Sequence, residues 1–128
     1  MVIHESAEDY LESILIVQER LGSVRSIDIV NELGYSKPSV SIAMKKLREN
    51  GYIAVDGEGN LTLLEPGREI AERIYSRHRL LTHFFVQLGV DEEVAAEDAC
   101  KAEHILSEQT LEKIREYALL HDAQDSVK

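Results

Sequence analysis

The only cysteine of the chain lies in a segment rich in side chains that bind metal ions. This segment, EDACKAEH, covers residues 97–104 and carries Cys100, Glu103 and His104. In a helix these three residues stand at positions i, i+3 and i+4 and project from one face. A thiolate, a carboxylate and an imidazole within one turn can chelate a divalent cation if a second element closes the other side. The alternative interpretation is a buried packing thiol beside a solvated glutamate and a histidine with a local hydrogen bond.

Two other segments offer candidate ligands at helical spacing. Asp9 and Glu12 stand at i and i+3 in the first predicted helix, and the alternative there is an acidic helix start that the helix dipole favours. His78 lies in YSRHRLL, in the middle of a long helical segment, where a neutral imidazole is available to a metal. The residues alone do not decide whether these side chains are metal ligands or have only a structural role.

Composition limits the class of protein. The chain has 128 residues, of which 44% are hydrophobic and 30% charged, and this mixture is typical of a soluble helical protein of one domain or two small lobes. One cysteine excludes an internal disulfide. The start MVIHESAEDY lacks the basic and apolar regions of a signal peptide, and no apolar run approaches the roughly 20 residues of a membrane span. We therefore predict a cytoplasmic protein without a membrane segment.

The charge distribution is uneven along the chain. A net charge of −10 argues against binding to phosphates. Residues 33–48, however, contain four basic side chains and no acidic one, namely Lys37, Lys45, Lys46 and Arg48. Such a basic segment in an acidic protein is compatible with DNA binding if the remaining negative charge points elsewhere.

Apolar spacing predicts three helices in the first 50 residues. They cover residues 5–21, residues 27–33 with Ser26 as N-cap and Gly34 as the left-handed end, and a third stretch with Ser36 as its cap and Pro38 in its first turn, which stops at the sequence ENG. The last two, joined by a tight glycine-containing link, form a candidate helix-turn-helix. Helical hairpins also occur in proteins that do not bind DNA, so this pattern alone is not decisive.

The sequence YIAVDGEGNLTLL adds a β-hairpin directly after the third helix. Two short β-prone runs, residues 52–55 and 60–64, flank the turn DGEG. A helix-turn-helix followed by a hairpin is the layout of a winged helix. From Pro66 onward the pattern is helical: one long segment ends at Gly89, two shorter helices follow, and the tail HDAQDSVK is predicted to fray. The predicted fold is therefore mainly α, a winged helix-turn-helix followed by an all-helical part.

The order of these segments resembles a known family. EDYLESI, then SIDIVNELGYSKPSVSIAMKKLRENGYI, then RHRLL…FF…LGV and EDACKAEHILSE are similar to the metal-dependent transcriptional repressors related to the diphtheria toxin repressor and the manganese transport regulator. The similarity covers nearly the whole chain. It implies a winged-helix DNA-binding domain over residues 1–65, a helical metal-binding and dimerisation domain over residues 66–128, and no enzymatic activity.

The resemblance also implies a ligand set. Carried over by motif, the metal ligands are Asp9, Glu12, His78, Cys100, Glu103 and His104. Manganese-type members have a carboxylate in place of Cys100, whereas iron-type members have a methionine in place of Asp9. The auxiliary site of the iron-type members falls on Thr82 and Ala96, and 128 residues leave no room for their C-terminal SH3-like domain. We therefore expect the principal site and not the auxiliary one.

Ligand softness bears on the choice of metal. Oxygen and imidazole ligands suit Mn(II) and Fe(II), and a thiolate shifts the preference toward Fe(II), Co(II) or Zn(II). We predict Mn(II) or Fe(II) as the co-repressor, with Zn(II) or Co(II) able to bind in vitro.

In a winged helix the third helix enters the major groove of double-stranded DNA. Its first turns are expected to contact bases and phosphates, and its later cations, including Arg48, to contact phosphates or solvent. The predicted DNA-binding residues are Ser36, Lys37, Ser39, Ser41, Lys45 and Lys46. The acidic wing turn DGEG should bind the backbone only weakly.

The resulting hypothesis is a homodimeric repressor of metal uptake or homeostasis genes. Metal binding would fix the first helix against the dimerisation helices, so that two recognition helices read half-sites of a palindromic operator roughly 34 Å apart. A metal-independent winged-helix regulator is one alternative. A small metal-dependent hydrolase is another alternative. The sequence argues against it, because it contains no glycine-rich phosphate loop, no nucleophile motif and no spare general base near the proposed ligands.

Overall fold

A computed structural model describes the backbone of residues 5–127 and the side chains of residues 6–123. The first four residues, on which part of the signal-peptide prediction rests, and Lys128 lie outside this range. The described residues form helices α1 (Glu5–Leu21), α2 (Ser26–Leu33), α3 (Lys37–Glu49), strands β1 (Ile53–Val55) and β2 (Leu61–Leu63), and helices α4 (Glu65–Gln87), α5 (Glu92–Ala102) and α6 (Glu108–Val127). The predicted fold class is confirmed.

The chain divides into two compact units. The first ends at Arg73 and the second begins at Ile74, so α4 contributes to both. The predicted domain boundary after residue 65 falls at the start of α4 and remains a prediction. None of the described helices combines the length and the hydropathy that a bilayer crossing requires.

The three helices of the first unit begin and end largely where the local signals predict. Gly22 follows α1 with φ of +86°, and Gly34 follows α2 with φ of +72°, a conformation that costs glycine little. The prediction of Ser26 as N-cap is wrong, because Ser26 is already helical and Arg25 is the cap residue. Asp28 explains the earlier start, since its carboxylate accepts a hydrogen bond from the Arg25 backbone N–H at 2.9 Å.

The helix-turn-helix is completed by α3. Ser36 caps it as predicted, with its Oγ accepting a hydrogen bond from the Ser39 backbone N–H at 3.2 Å. Val40, Met44 and Leu47 form the buried face of α3. Their spacing of three and four residues places them on one side of the helix, so the opposite side of α3 is left to solvent.

The predicted hairpin is present as an antiparallel pair with Ile53 opposite Leu63. Its turn is held by the Asp56 carboxylate, which accepts hydrogen bonds from the backbone N–H groups of Glu58 and Asn60, each at 2.9 Å. The Leu61 backbone N–H donates to the Val24 carbonyl at 2.7 Å. This bond ties the second strand of the wing to the segment that precedes α2.

The second unit packs α5 and α6 with the later part of α4. Its buried centre consists of Leu81, Ala99 and Leu111, one residue from each helix. Ser107 begins α6 as its sequence suggests, with its Oγ accepting from the Thr110 N–H at 3.2 Å. The tail was predicted to fray, but α6 continues through it as far as Val127.

One helix is shorter than predicted. The spacing of Cys100, Glu103 and His104 predicts one helix that includes all three, but α5 ends at Ala102 and residues 103–105 form a turn. The Ile105 N–H bonds to the Ala102 carbonyl at 3.1 Å, three residues back, and this tightening redirects the chain toward the cap of α6. Glu103 and His104 therefore lie beyond the end of the helix.

Candidate metal centre and nucleic-acid interface

The predicted ligands of the second unit are gathered around Glu103. This side chain is fully buried, and its Oε2 lies 2.9 Å from His78 Nδ1. Its Oε1 lies 3.5 Å from Nε2 of His104, whose side chain is also buried. The sulfur of Cys100 and a carboxylate oxygen of Glu103 lie within 4.8 Å of each other. The structure thus brings these four side chains together, although Glu103 and His104 come after the last residue of α5.

The surroundings of Glu103 suit a cation. Its Oε1 is buried and accepts no hydrogen bond from any residue that the structure describes. A buried carboxylate oxygen without a donor is unfavourable, because it has lost hydration without replacement. A divalent ion would satisfy this oxygen, and the neighbouring imidazoles and thiol are groups that ligate such ions.

The alternative interpretation of this segment is wrong at two of its three residues. It required a buried packing thiol and a solvated glutamate. Cys100 is exposed and Glu103 is buried, which is the reverse. An exposed thiol gains nothing from core packing, whereas a buried carboxylate needs an electrostatic partner.

An arginine that sequence reasoning did not select holds the turn in place. Arg77 donates through Nη1 to the main-chain carbonyl of Glu103 at 3.2 Å and forms an ion pair with the carboxylate of Glu108. It thereby links α4, the turn and the start of α6. The only sequence signal was its position beside His78, because partners 26 and 31 residues away are not visible in a local pattern.

The first unit supplies the remaining two candidates from α1. Asp9 is half-buried and Glu12 is 6% exposed. Glu12 lies about two turns into α1, whereas the dipole favours acids mainly within the first turn. A solvated acidic helix start therefore does not describe Glu12. Nearby, Glu8 forms an ion pair with Arg73 at 3.1 Å, so the acids of this helix have different environments.

Charge near Asp9 also affects a neighbouring phenol. Burial raises the pKa of Tyr10, and the nearby Tyr35 and Asp9 raise it further. The rings of Tyr10 and Tyr35 meet edge to face with centroids 5.7 Å apart. Tyr10 and the end of the α2–α3 link are thus packed beside the candidate ligand.

The predicted DNA-binding residues all lie on the accessible side of α3 or at its cap. The exposed residues of this set are Ser36, Lys37, Ser39, Ser41, Lys45 and Lys46. Arg48 is exposed as well, and Lys45 is only weakly engaged, 4.0 Å from Glu49. Exposure is necessary for a groove contact, and the individual contacts remain predictions.

Comparison with known proteins decides the family. Residues 3–61 match the model described as the iron dependent repressor N-terminal DNA binding domain, and residues 64–120 match its metal binding and dimerisation domain. The transcriptional regulator MntR of Bacillus subtilis (strain 168) is 32% identical over 123 residues, which cover 96% of this chain and 87% of that protein. The chain belongs to the iron-dependent repressor family. The resemblance stated from the sequence is confirmed.

Other members of the iron-dependent repressor family are similarly related. An uncharacterised HTH-type transcriptional regulator of Methanocaldococcus jannaschii is 36% identical over 113 residues, covering 87% of this chain and 90% of that one. A solved manganese-dependent transcriptional repressor in complex with manganese superposes with a TM-score of 0.80 at 31% identity. The match covers 88% of this chain but only 52% of that structure's chain, so this chain spans about half the length of that solved relative.

The family assignment agrees with the location of the ligand candidates. His78, Cys100, Glu103 and His104 fall within the segment that matches the metal binding and dimerisation model. Asp9 and Glu12 fall within the segment that matches the DNA binding model. The models do not specify individual ligands, and the six residues remain a predicted set.

Proposed function

We propose that this member of the iron-dependent repressor family is a metal-responsive transcriptional regulator that binds double-stranded DNA as a homodimer when Mn(II) or Fe(II) is bound. The observation that carries the proposal is the buried carboxylate of Glu103, whose Oε1 has no hydrogen-bond donor among the described residues while imidazole and thiol groups surround it. Family models for DNA binding, metal binding and dimerisation support the remaining parts.

The proposed ligands divide by chemistry. His78 and His104 would bind as neutral imidazoles, Cys100 as a thiolate, and Asp9, Glu12 and Glu103 as carboxylates. The bound ion supplies positive charge that offsets the repulsion among these carboxylates. Without that charge, like-charged groups brought close together repel one another. The set suits manganese or iron, and the thiolate is its softest member.

The ligands also supply a means of regulation. Asp9 and Glu12 belong to α1 of the DNA-binding unit, whereas the other four proposed ligands belong to the second unit. We infer that joint ligation restricts the orientation of the DNA-binding unit, so that the α3 helices of a dimer meet half-sites of a palindromic operator roughly 34 Å apart. Removing part of the net charge of −10 also favours the approach to DNA.

The regulated genes follow from the effector. A repressor that responds to Mn(II) or Fe(II) would act on genes for uptake or homeostasis of that metal. One solved relative is a manganese-dependent repressor, and this supports manganese as the first ion to test. The hydrolase alternative is set aside because the relatives are transcriptional regulators.

The decisive experiment measures DNA binding with and without metal. An operator is selected from a random duplex library with Mn(II) present, and affinity is then measured with Mn(II), Fe(II), Zn(II) or chelator. We expect chelation to weaken binding strongly. Glu103→Gln should abolish the response, because loss of a side chain that merely orients a ligand already costs about 10- to 100-fold in metal affinity.

Asp98→Asn is the matched control, because it removes an exposed carboxylate from the same segment. It should retain wild-type metal-dependent binding. The melting temperature of metal-free Glu103→Gln establishes that the variant is folded. If chelation leaves wild-type affinity unchanged, the chain is a metal-independent regulator and the proposal is wrong.

A further inference from the structure

The exposed face of α3 has an isoleucine near its centre. Ile42 is 58% exposed, whereas Val40 and Met44, two residues before and after it, are buried. Two residues along a helix correspond to roughly 200° of rotation, so Ile42 projects away from the core that Val40 and Met44 enter. Packing within the unit therefore does not explain this side chain.

The neighbours of Ile42 on the helix surface are mostly polar or cationic. Residues one turn away on either side are Pro38, Ser39, Lys45 and Lys46, and all are exposed. A single exposed apolar side chain is ordinary on a protein surface. Here, however, it stands in residues 33–48, a segment of an acidic chain with four basic residues and no acidic one. A protein partner that binds through apolar contact would need a contiguous apolar patch, which these four residues do not provide.

The shape of the surface around Ile42 is also distinctive. Ile42 lines two hollows. The first, of about 310 Å³, includes Ser41, Lys45 and Arg48 beside the apolar Met44 and Val55, and the second, of about 220 Å³, includes Ser39 and Lys46 beside the apolar Ala7, Tyr10, Ala43 and Leu47. It therefore borders two depressions, each lined by at least one cationic residue and one serine. An exposed apolar side chain beside cationic and hydroxyl groups can enter a groove while those groups contact the groove walls.

The occupant follows from the chemistry of duplex DNA. In the major groove the distinctive apolar group at the base edges is the 5-methyl of thymine, and apolar side chains contact it. We infer that Ile42 packs against a thymine methyl group and makes this repressor selective for an A·T pair at that operator position. Lys45 and Lys46 then contact phosphates, which position the helix without reading sequence. The inference rests on the proposed function and names the residue that gives it sequence preference.

The test removes the methyl group alone. In the operator selected with Mn(II), each thymine is replaced in turn by deoxyuridine, and affinity is measured with Mn(II) present. The affinity of wild type should fall roughly fourfold for each methyl contact that is removed, at one or more positions in each half-site. This factor follows from the transfer free energy of a methylene-sized group. Ile42→Ala should bind the thymine operator more weakly than wild type does. Its affinity should not fall further when thymine is replaced by deoxyuridine, because the side chain and the methyl group are coupled partners and one is already missing.

Two controls separate this contact from general effects. Leu21→Ala removes another exposed apolar side chain from the same unit, 56% exposed, and should keep the wild-type response to deoxyuridine. Lys46→Ala should weaken binding to both operators by the same factor and reduce its salt dependence. Ile42→Gln, which keeps a long side chain, should be as insensitive to the methyl group as Ile42→Ala.

The outcomes distinguish the inference from the proposed function. If deoxyuridine leaves wild-type affinity unchanged at every position, or if Ile42→Ala stays as sensitive as wild type, the inference is overturned while metal-dependent binding persists. If no duplex is selected, or if binding ignores metal, the proposed function fails first and the inference falls with it.

Discussion

At the scale of single residues, Glu103 and Cys100 have unexpected environments. The carboxylate is fully buried beside two imidazoles, and the thiol is exposed. The spacing of Cys100, Glu103 and His104 is that of one helix face, but the chain leaves the helix at Ala102. Glu103 is the C-cap of α5, and its backbone is still helical, with its N–H donating to the Ala99 carbonyl at 2.9 Å. The helical spacing from Cys100 therefore persists to Glu103, and His104 follows in the turn.

The thiol of Cys100 should set the relative affinity for soft ions. Cys100→Ala is expected to lower affinity for Zn(II) and Co(II) more than affinity for Mn(II), because a thiolate favours the softer ions. Cys100→Asp should raise the ratio of Mn(II) to Zn(II) affinity, since it supplies a hard oxygen ligand. Competition titrations with a chromophoric chelator measure these ratios.

Alkylation offers an independent measurement, because Cys100 is the only cysteine and is exposed. Metal should slow its reaction with a thiol reagent in wild type. The same protection should be lost in Glu103→Gln and kept in Asp98→Asn. Equal alkylation rates with and without metal would show that Cys100 is not a ligand.

At the scale of elements, the wing turn combines backbone hydrogen bonds with those accepted by the Asp56 carboxylate. Hydrogen bonds from the Asn60 backbone and side chain lower the pKa of Asp56 below its ordinary 3.8, and the Glu58 backbone and Arg25 add to this. Because the folded pKa is depressed, the stabilisation is fully present above about pH 3.8 and is lost as pH falls through the folded value. We expect the pKa of Asp56, measured by NMR titration, to lie below 3.8.

Asp56→Ala should lose the turn and this pH dependence together. Hydrogen exchange at the backbone amide of Asn60 should become faster in the variant at neutral pH, because its acceptor is gone. Exchange at core amides of α1 should change little. An unchanged rate at Asn60 would mean that strand pairing alone holds the wing.

The start of α4 contains a glycine that tolerates no side chain. A Cβ at Gly67 would lie 2.2 Å from the carbonyl oxygen of Tyr52. Replacing glycine by alanine within a helix ordinarily stabilises by about 0.5–1 kcal/mol. Here we expect the opposite sign: Gly67→Ala should lower the free energy of unfolding by about 1–3 kcal/mol, as at other overpacked sites. Denaturant unfolding of Gly67→Ala measures it.

Gly57→Ala is the matched control for this substitution. No atom of the described residues lies within 4 Å of a Cβ built at Gly57, and its φ does not require glycine. Its unfolding free energy should stay within about 0.5 kcal/mol of wild type, as at most surface positions. If Gly67→Ala is as stable as Gly57→Ala, α4 does not approach the Tyr52 carbonyl as closely as described.

At the scale of the whole molecule, the second unit leaves much apolar surface uncovered. Its buried centre is small, and seven of its large apolar side chains are exposed, namely Val86, Leu88, Val94, Ile105, Tyr117, Leu119 and Leu120. A unit of about 55 residues buries a small fraction of its surface and often depends on association. This agrees with its match to a dimerisation domain.

We therefore expect a dimer in sedimentation analysis. Leu88→Glu should shift the chain toward monomer and weaken operator binding, because a charge would replace an apolar side chain that is 60% exposed. Leu21→Glu, an equivalent change in the first unit, should leave the dimer intact. A Leu88→Glu protein that remains fully dimeric would place the interface elsewhere on the second unit.

Local signals in the sequence were sufficient for the secondary structure and the fold class. Apolar spacing, the Ser36 cap, the glycines at 22, 34 and 89 and the DGEG turn act over a few residues, so their effects can be predicted without knowing the fold. The six candidate ligands also came from the sequence, through spacing and through resemblance to a family. The errors, at Ser26, at the end of α5 and in the last turns of α6, lie at helix ends, where sequence signals locate the boundary least reliably.

Only the tertiary structure decided what these residues experience. It showed that Glu103 is buried with an oxygen that has no donor among the described residues, that Cys100 is exposed, and that Arg77 holds the turn. It also showed that Gly67 meets the Tyr52 carbonyl and that Ile42 points away from the core. Burial and close approach depend on which distant segments pack together. No local pattern in the chain specifies that packing.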